Sequence, residues 1–185
     1  MTKFEKTIGM KKIIAFAGSN SSKSINHQLI LAVNKLMPNV EVEVVSLRDY
    51  EAPVYGIDLE ESEGFPATMT ALFDKFSSAD GFLVSTPEHN GFMPAVMKNT
   101  HDWLSRMGRK VYNEKPVVFL STSPGGRGGA SALGQIMSVM PHQGAKVVGG
   151  HSVGSFFDKM ENGMLKEGDD KQAILGLVTE MLKAI

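Results

Sequence analysis

Cysteine is absent from this chain of 185 residues. That excludes disulfides, thiol nucleophiles and any zinc or iron–sulfur site built on the chain's own thiolates, and it is compatible with a reducing compartment. An excess of charge of either sign is also missing. Lysine and arginine number 19 against 20 acidic residues, a formal net charge of −1, so the chain lacks the basic balance expected of a nucleic-acid binder. No apolar run approaches the length of a membrane span or a secretory leader. Two nucleotide signatures are missing as well. There is no Gly-Lys-Ser/Thr phosphate loop, and the run Gly126-Arg127-Gly128-Gly129-Ala130-Ser131 has serine where a dinucleotide fingerprint needs its third glycine. His27, His101, His142 and His151 fall at no metal-ligand spacing and read as surface or interface positions. The expectation is a cytoplasmic protein that engages neither nucleic acid nor membrane and carries no metal centre.

What is present is an alternation of strand and helix patterns. Lys12–Ala17, Val40–Ser46, Gly81–Val84, Pro116–Leu120 and Ala145–Val148 read as strands. Helical spacing marks a segment carrying Leu29, Ile30, Val33, Leu36 and Met37, and then Pro66–Ser77, Pro94–Met107, Ala130–Met140 and Asp170–Ala184. The acidic run Asp58–Glu63 reads as a solvated loop. Residues 1–9 read as a flexible extension before one domain spanning 10–185. Five strands alternating with five helices imply an α/β fold, a parallel sheet covered on both faces. Right-handed crossovers leave two doubly wound strand orders, and in both of them ligands gather beyond the carboxyl ends of the strands.

The unusual residues sit at those ends. The first strand runs into Gly18-Ser19-Asn20-Ser21-Ser22-Lys23-Ser24-Ile25-Asn26, a small hydroxyl-rich loop that opens a helix. Free N–H groups and the positive end of a helix dipole suit an anionic phosphate there. A plain helix cap needs one hydroxyl, whereas this loop offers Ser19, Ser21, Ser22 and Ser24. The third strand ends in Pro87-Glu88-His89-Asn90-Gly91, whose restrained backbone can present polar groups to the edge of a planar heterocycle. The fourth ends in Ser123-Pro124-Gly125-Gly126-Arg127-Gly128-Gly129, where glycines permit close approach of backbone to a ring. Arg127 can meet a nucleotide phosphate or remain in solvent. No nucleophile–base pair is evident, which disfavours hydrolytic chemistry.

Gly18-Ser19 with Ser24 and Asn26, Pro87-Glu88-His89-Asn90, Lys98-Asn99 with Asp102-Trp103, and Ser123-Pro124-Gly125 with Gly128-Gly129 occur in that order. Together they resemble the NADPH-dependent FMN reductase family, the flavodoxin-like group that includes chromate, quinone and azo-dye reductases. The resemblance spans roughly residues 12–150. It implies a flavodoxin-like three-layer sandwich with strand order 2-1-3-4-5, and an enzyme that uses NADPH or NADH to reduce a small-molecule acceptor through bound FMN. It implies that Ser19, Ser21, Ser24 and Asn26 bind the FMN phosphate. Pro87, Glu88, His89, Asn90, Ser123 and Gly125 then meet the ring and ribityl groups, with no catalytic side chain beyond the flavin. A homodimer or homotetramer is implied as well. The chain departs from the family pattern at Ser21, where a basic residue is usual, and at His89, where tyrosine is usual. Backbone, hydroxyls and Lys23 must then meet the phosphate charge. His89 can face the ring or the solvent. An electron carrier, or a flavin-binding protein without its own NAD(P)H oxidation, remains an alternative on the same fold.

Overall fold

The computed structural model describes residues 10–38 and 40–185; the expected extension at 1–9 lies outside them. Its frame is a parallel sheet of five strands, Lys12–Ala17 (β1), Glu41–Ser46 (β2), Gly81–Thr86 (β3), Pro116–Thr122 (β4) and Lys146–Val153 (β5), in the order β2-β1-β3-β4-β5. The three central strands read as near-continuous apolar runs because both of their faces are covered. Alternate side chains feed two cores. Ile14, Phe16, Phe82, Val84, Val117 and Phe119 point to one, under helices Ala67–Ser77 (α3), Ala95–Met107 (α4) and Ala130–Val139 (α5). Ile13, Ala15, Leu83, Val118 and Leu120 point to the other, under Ile25–Asn34 (α1) and Asp169–Lys183 (α7). This is the flavodoxin-like order. It sets the carboxyl ends of β1, β3 and β4 side by side, and there the apolar runs give way to buried Ser85, Thr86, Ser121 and Thr122.

The structure departs from the sequence expectation in several places, and β3 and β4 each run two residues past their expected ends. The acidic run is a helix, Ile57–Glu63 (α2), with no buried side chain; charge alone had concealed it. β5 continues through Gly149-Gly150 instead of stopping at Val148. Glycine leaves room there for the covering helices: a Cβ at 149 would press on the tip of Leu177 of α7, and one at 150 on the Met137 sulfur of α5 and, at 3.0 Å, the Phe119 carbonyl. Between β5 and α7 the chain adds a short helix, Phe156–Lys159 (α6), and a hairpin of Met160–Glu161 (β6) and Met164–Leu165 (β7). The hairpin turns on Asn162 and Gly163, with φ of 50° and 70°, as a two-residue I′ turn requires.

Candidate active site

The first loop is built by local hydroxyl chemistry. Ser24 caps α1, its Oγ accepting the His27 N–H at 3.1 Å. Ser19 Oγ accepts the Ser21 N–H, and Ser21 Oγ accepts the Lys23 N–H, each at 3.2 Å. Among the described residues the first-turn N–H groups of Ile25 and Asn26 have no partner, so they are open to an anion. Lys23 is exposed beside them. The cap and the anion cradle are therefore one structure: each serine oxygen used internally keeps its O–H free to donate.

The Asn26 side chain, an expected phosphate contact, is committed to the ends of β3 and β4. It is 2% exposed, and its Oδ1 accepts from Ser85 Oγ at 2.7 Å and from the Thr122 N–H at 3.1 Å. Its Nδ2 donates to the Thr122 carbonyl at 3.0 Å. What Asn26 has left for an anion is its backbone N–H. The carboxamide instead ties α1 to the ends of β3 and β4, and with the Gly18 N–H donating to the Ser85 carbonyl at 2.9 Å it draws the roots of all three loops together. Gly18 is constrained in turn, since a Cβ there would overlap Met97 of α4.

In the second loop, His89 and Phe92 exchange both backbone hydrogen bonds, at 2.9 and 3.1 Å. Between them Asn90 and Gly91 have φ of 53° and 83°, again a I′ turn. This tight hairpin uses up the backbone of His89 but leaves its imidazole and the Asn90 side chain exposed at the rim. Pro87 is half-buried at its base. Glu88 turns inward: its carboxylate accepts the N–H groups of Ser131 and Ala132 at 2.9 and 3.1 Å.

The third loop is held by a neighbour that the sequence reading missed. The Gly125 carbonyl accepts from Ser123 Oγ at 3.0 Å, from the Gly128 N–H at 3.2 Å and from the Ser155 N–H at 3.0 Å, while Phe156 N–H donates to the Ser123 carbonyl at 3.1 Å. The segment Gly154–Phe156 beyond β5 thus clamps the loop. A Cβ on Gly154 would run into the Gly126 carbonyl, which explains a glycine there. The small-residue run Val153-Gly154-Ser155 would have signalled a fourth loop had β5 been read to its full length. Gly125 and Gly126 are exposed, with nothing crowding Gly126, so backbone there is accessible to a flat ligand.

A cavity of about 740 Å³ opens beside the second loop between α4 and α5, walled by His89, Phe92, Met93, Lys98, Gln135 and Val139. Behind it lies a histidine that does not match the surface reading. His101 is 1% exposed, with Nδ1 at 2.8 Å from the Met97 carbonyl and Nε2 at 2.8 Å from the Tyr112 hydroxyl. A ring whose Nδ1–H donates and whose Nε2 accepts satisfies both contacts as neutral imidazole. Burial holds its pKa below the ordinary 6.5, against the opposing pull of the Met97 carbonyl, and burial pushes the Tyr112 phenol up. His151 also lies away from open solvent, half-buried with Nε2 at 2.8 Å from Asp170. Among the described residues no helix is long and apolar enough to cross a membrane.

Comparison with known proteins adds four findings. The family profile described as NADPH-dependent FMN reductase matches residues 11–158. The quinone reductase of Escherichia coli K12 is 33% identical over 138 residues, covering 74% of this chain and 73% of the relative. The 2-hydroxy-1,4-benzoquinone reductase of a Burkholderia species is 35% identical over 130 residues, covering 69% of each. Among solved structures, the flavoenzyme NAD(P)H:(acceptor) oxidoreductase FerB of Paracoccus denitrificans superposes with a TM-score of 0.77 at 25% identity, over 94% of this chain and 96% of its own.

Proposed function

The chain belongs to the NADPH-dependent FMN reductase family, and from that premise we propose how its loops divide the binding of flavin, donor and acceptor. It is an NAD(P)H-dependent oxidoreductase that uses FMN to reduce small-molecule acceptors. FMN, when bound, would supply the redox chemistry, as hydride acceptor for the nicotinamide and electron donor to the acceptor. In our reading residues 10–185 form one FMN-binding domain. The Ser19, Ser21 and Ser24 hydroxyls and the N–H groups of Ile25 and Asn26 hold the phosphate. The α1 dipole, with exposed Lys23, offsets its charge in place of the basic residue usual at Ser21. Pro87, His89, Asn90, Ser123 and Gly125 border the ring and ribityl chain, and Glu88 acts through the loop it anchors.

The observation that carries this reading is the convergence of the three loop roots on the Asn26 carboxamide. An oxygen-rich cradle and two ring-bordering loops thereby share one cleft. We place the acceptor in the cavity beside His89, with Phe92, Met93 and Val139 against its faces and the Gln135 amide and Lys98 at its edges. Such walls suit an organic ring such as a quinone or azo compound, or a free flavin, better than a metal oxyanion, which would need several converging cations. Phe92 and Val139 are 62% and 39% exposed at its rim, which supports assembly as a homodimer or homotetramer over this face. A cytoplasmic location, where NAD(P)H is supplied, belongs to the same proposal. The test is an anaerobic visible spectrum of the FMN-loaded protein before and after NADPH. The expected result is a bound-flavin band that bleaches and returns when a quinone is added. Flavin that binds but stays oxidised would leave only an electron carrier, and failure to bind FMN would end the reading.

A further inference from the structure

The second loop is fastened at both ends to a single helix. At its start Glu88 Oε2 accepts the N–H groups of Ser131 and Ala132, 2.9 and 3.1 Å away. At its end Gln135 Oε1 accepts the Met93 N–H at 3.1 Å. All three partners belong to the first two turns of α5. That helix has no cap of its own: its N-cap is Gly129, in the left-handed region at φ 78° and without a side chain to offer. A Cβ at 129 would press on Ser121 Cβ at 3.3 Å and reach only ordinary contact with Glu88 Cβ at 3.6 Å, so it is the left-handed φ that favours glycine there. The nearby cation, Arg127, donates to Ser131 Oγ at 2.9 Å. The carboxylate therefore rests on the bare positive end of a helix, from a residue 43 positions earlier in the chain.

We propose that Glu88 is a positioning residue that sets both the grip of the protein on FMN and the potential of the bound flavin. This rests on the flavin reading given above. Its carboxylate has two separable effects. It holds the ring-bordering loop at the fixed height of the α5 N-terminus, and it cancels the positive end of that helix beside the ring site. Reduced FMN carries more negative charge than oxidised FMN at neutral pH. With the helix end cancelled, the site offers reduced flavin no extra attraction, and the flavin remains a strong donor.

Two variants separate these effects. Glu88→Gln keeps an oxygen for the α5 N–H groups but removes the charge. It should tighten reduced FMN relative to oxidised FMN by about tenfold, a rise of about 30 mV in the two-electron potential. Glu88→Ala removes the anchor too. It should weaken oxidised FMN by about tenfold or more, and in the flavin-free protein it should speed amide exchange over residues 89–93 and 131–132 while the central strands stay protected. FMN titration, spectroelectrochemistry and hydrogen exchange read these outcomes. An unchanged potential in Glu88→Gln, or unchanged affinity and exchange in Glu88→Ala, overturns the role given to Glu88 while leaving the flavin reading in place. A wild-type protein that binds no FMN overturns both.

Discussion

A buried carboxamide has two N–H donors and two acceptor lone pairs to satisfy, and Asn26 commits three of these to Ser85 and Thr122. Replacing it with leucine would fill much of the volume but leave the Ser85 hydroxyl and both backbone groups of Thr122 without that partner in a dry site. Each orphaned group costs about 1–3 kcal/mol, so Asn26→Leu should lose about 3 kcal/mol or more of stability and, with the loop roots parted, most of its FMN affinity. Urea unfolding checks the first effect and FMN titration the second; a stability loss below about 1 kcal/mol would show that the strut is dispensable. Residues of this kind mark where the sequence stops being legible. The serines of the first loop could be read because capping is local chemistry, satisfied three residues away. Asn26 sits in the same short motif, but its partner Thr122 is 96 positions distant, and no spacing rule links the two. Glu88 and His101 escaped for a related reason. Their residue types suggest solvent or chemistry, while tertiary contacts assign them to an anchor and to a satisfied core pair.

At the scale of elements, strands with continuous apolar runs and helices with clear periodicity were legible because burial on defined faces writes itself into sequence. What was not legible lacks such a face. The stretch from Ala52 through α2 has no fully buried side chain; Ala52, Tyr55 and Leu59 lean on the core, and polar groups on α4 tie the backbone down. Asn99 Oδ1 accepts the Tyr55 N–H at 2.8 Å, and its Nδ2 donates to the carbonyls of Ala52 and Pro53 at 3.3 and 3.0 Å. Trp103 Nε1 donates to the Pro53 carbonyl at 2.8 Å. Arg106 pairs with Glu60 through two nitrogens at 2.7 and 3.2 Å and holds that carboxyl below its ordinary range. This strap also walls a second hollow, between Asn20 of the first loop and the start of α4. Asn99→Ala removes three of the ties at once. With each hydrogen bond worth about 1 kcal/mol, amide exchange over residues 52–63 should accelerate at least about tenfold while β1 and β3 remain protected. Uniform acceleration across the sheet would instead show that the strap unfolds only with the whole protein.

For the whole molecule, the two cores meet across one sheet, so anything that loosens α4 is felt by the fold as well as by the site. His101 is the group through which pH acts on that packing. Folding holds its pKa below the ordinary 6.5 because the buried imidazole resists charging. As pH falls below about 6.5, the unfolded chain takes up a proton that the folded chain refuses, so stability drops by up to about 1.4 kcal/mol per pH unit until the folded pKa is reached. Above that window the contribution is complete and the profile should be flat. The carboxylates act lower down. Glu43 is held below the ordinary 4.5 by Lys12 and Lys75. Partial burial pushes Asp170 up, but Lys159 and His151 outweigh it and hold the acid below the ordinary 3.8. Their contributions persist above those values and are lost only as pH falls through the depressed ones. The two descents should therefore separate. Urea unfolding midpoints between pH 7.5 and 5.5 should fall for the wild type, whereas His101→Gln, which has no proton to take up, should be less stable at pH 7.5 but nearly level across the range. Parallel profiles for the two proteins would assign the upper descent to another group and leave His101 a packing residue only.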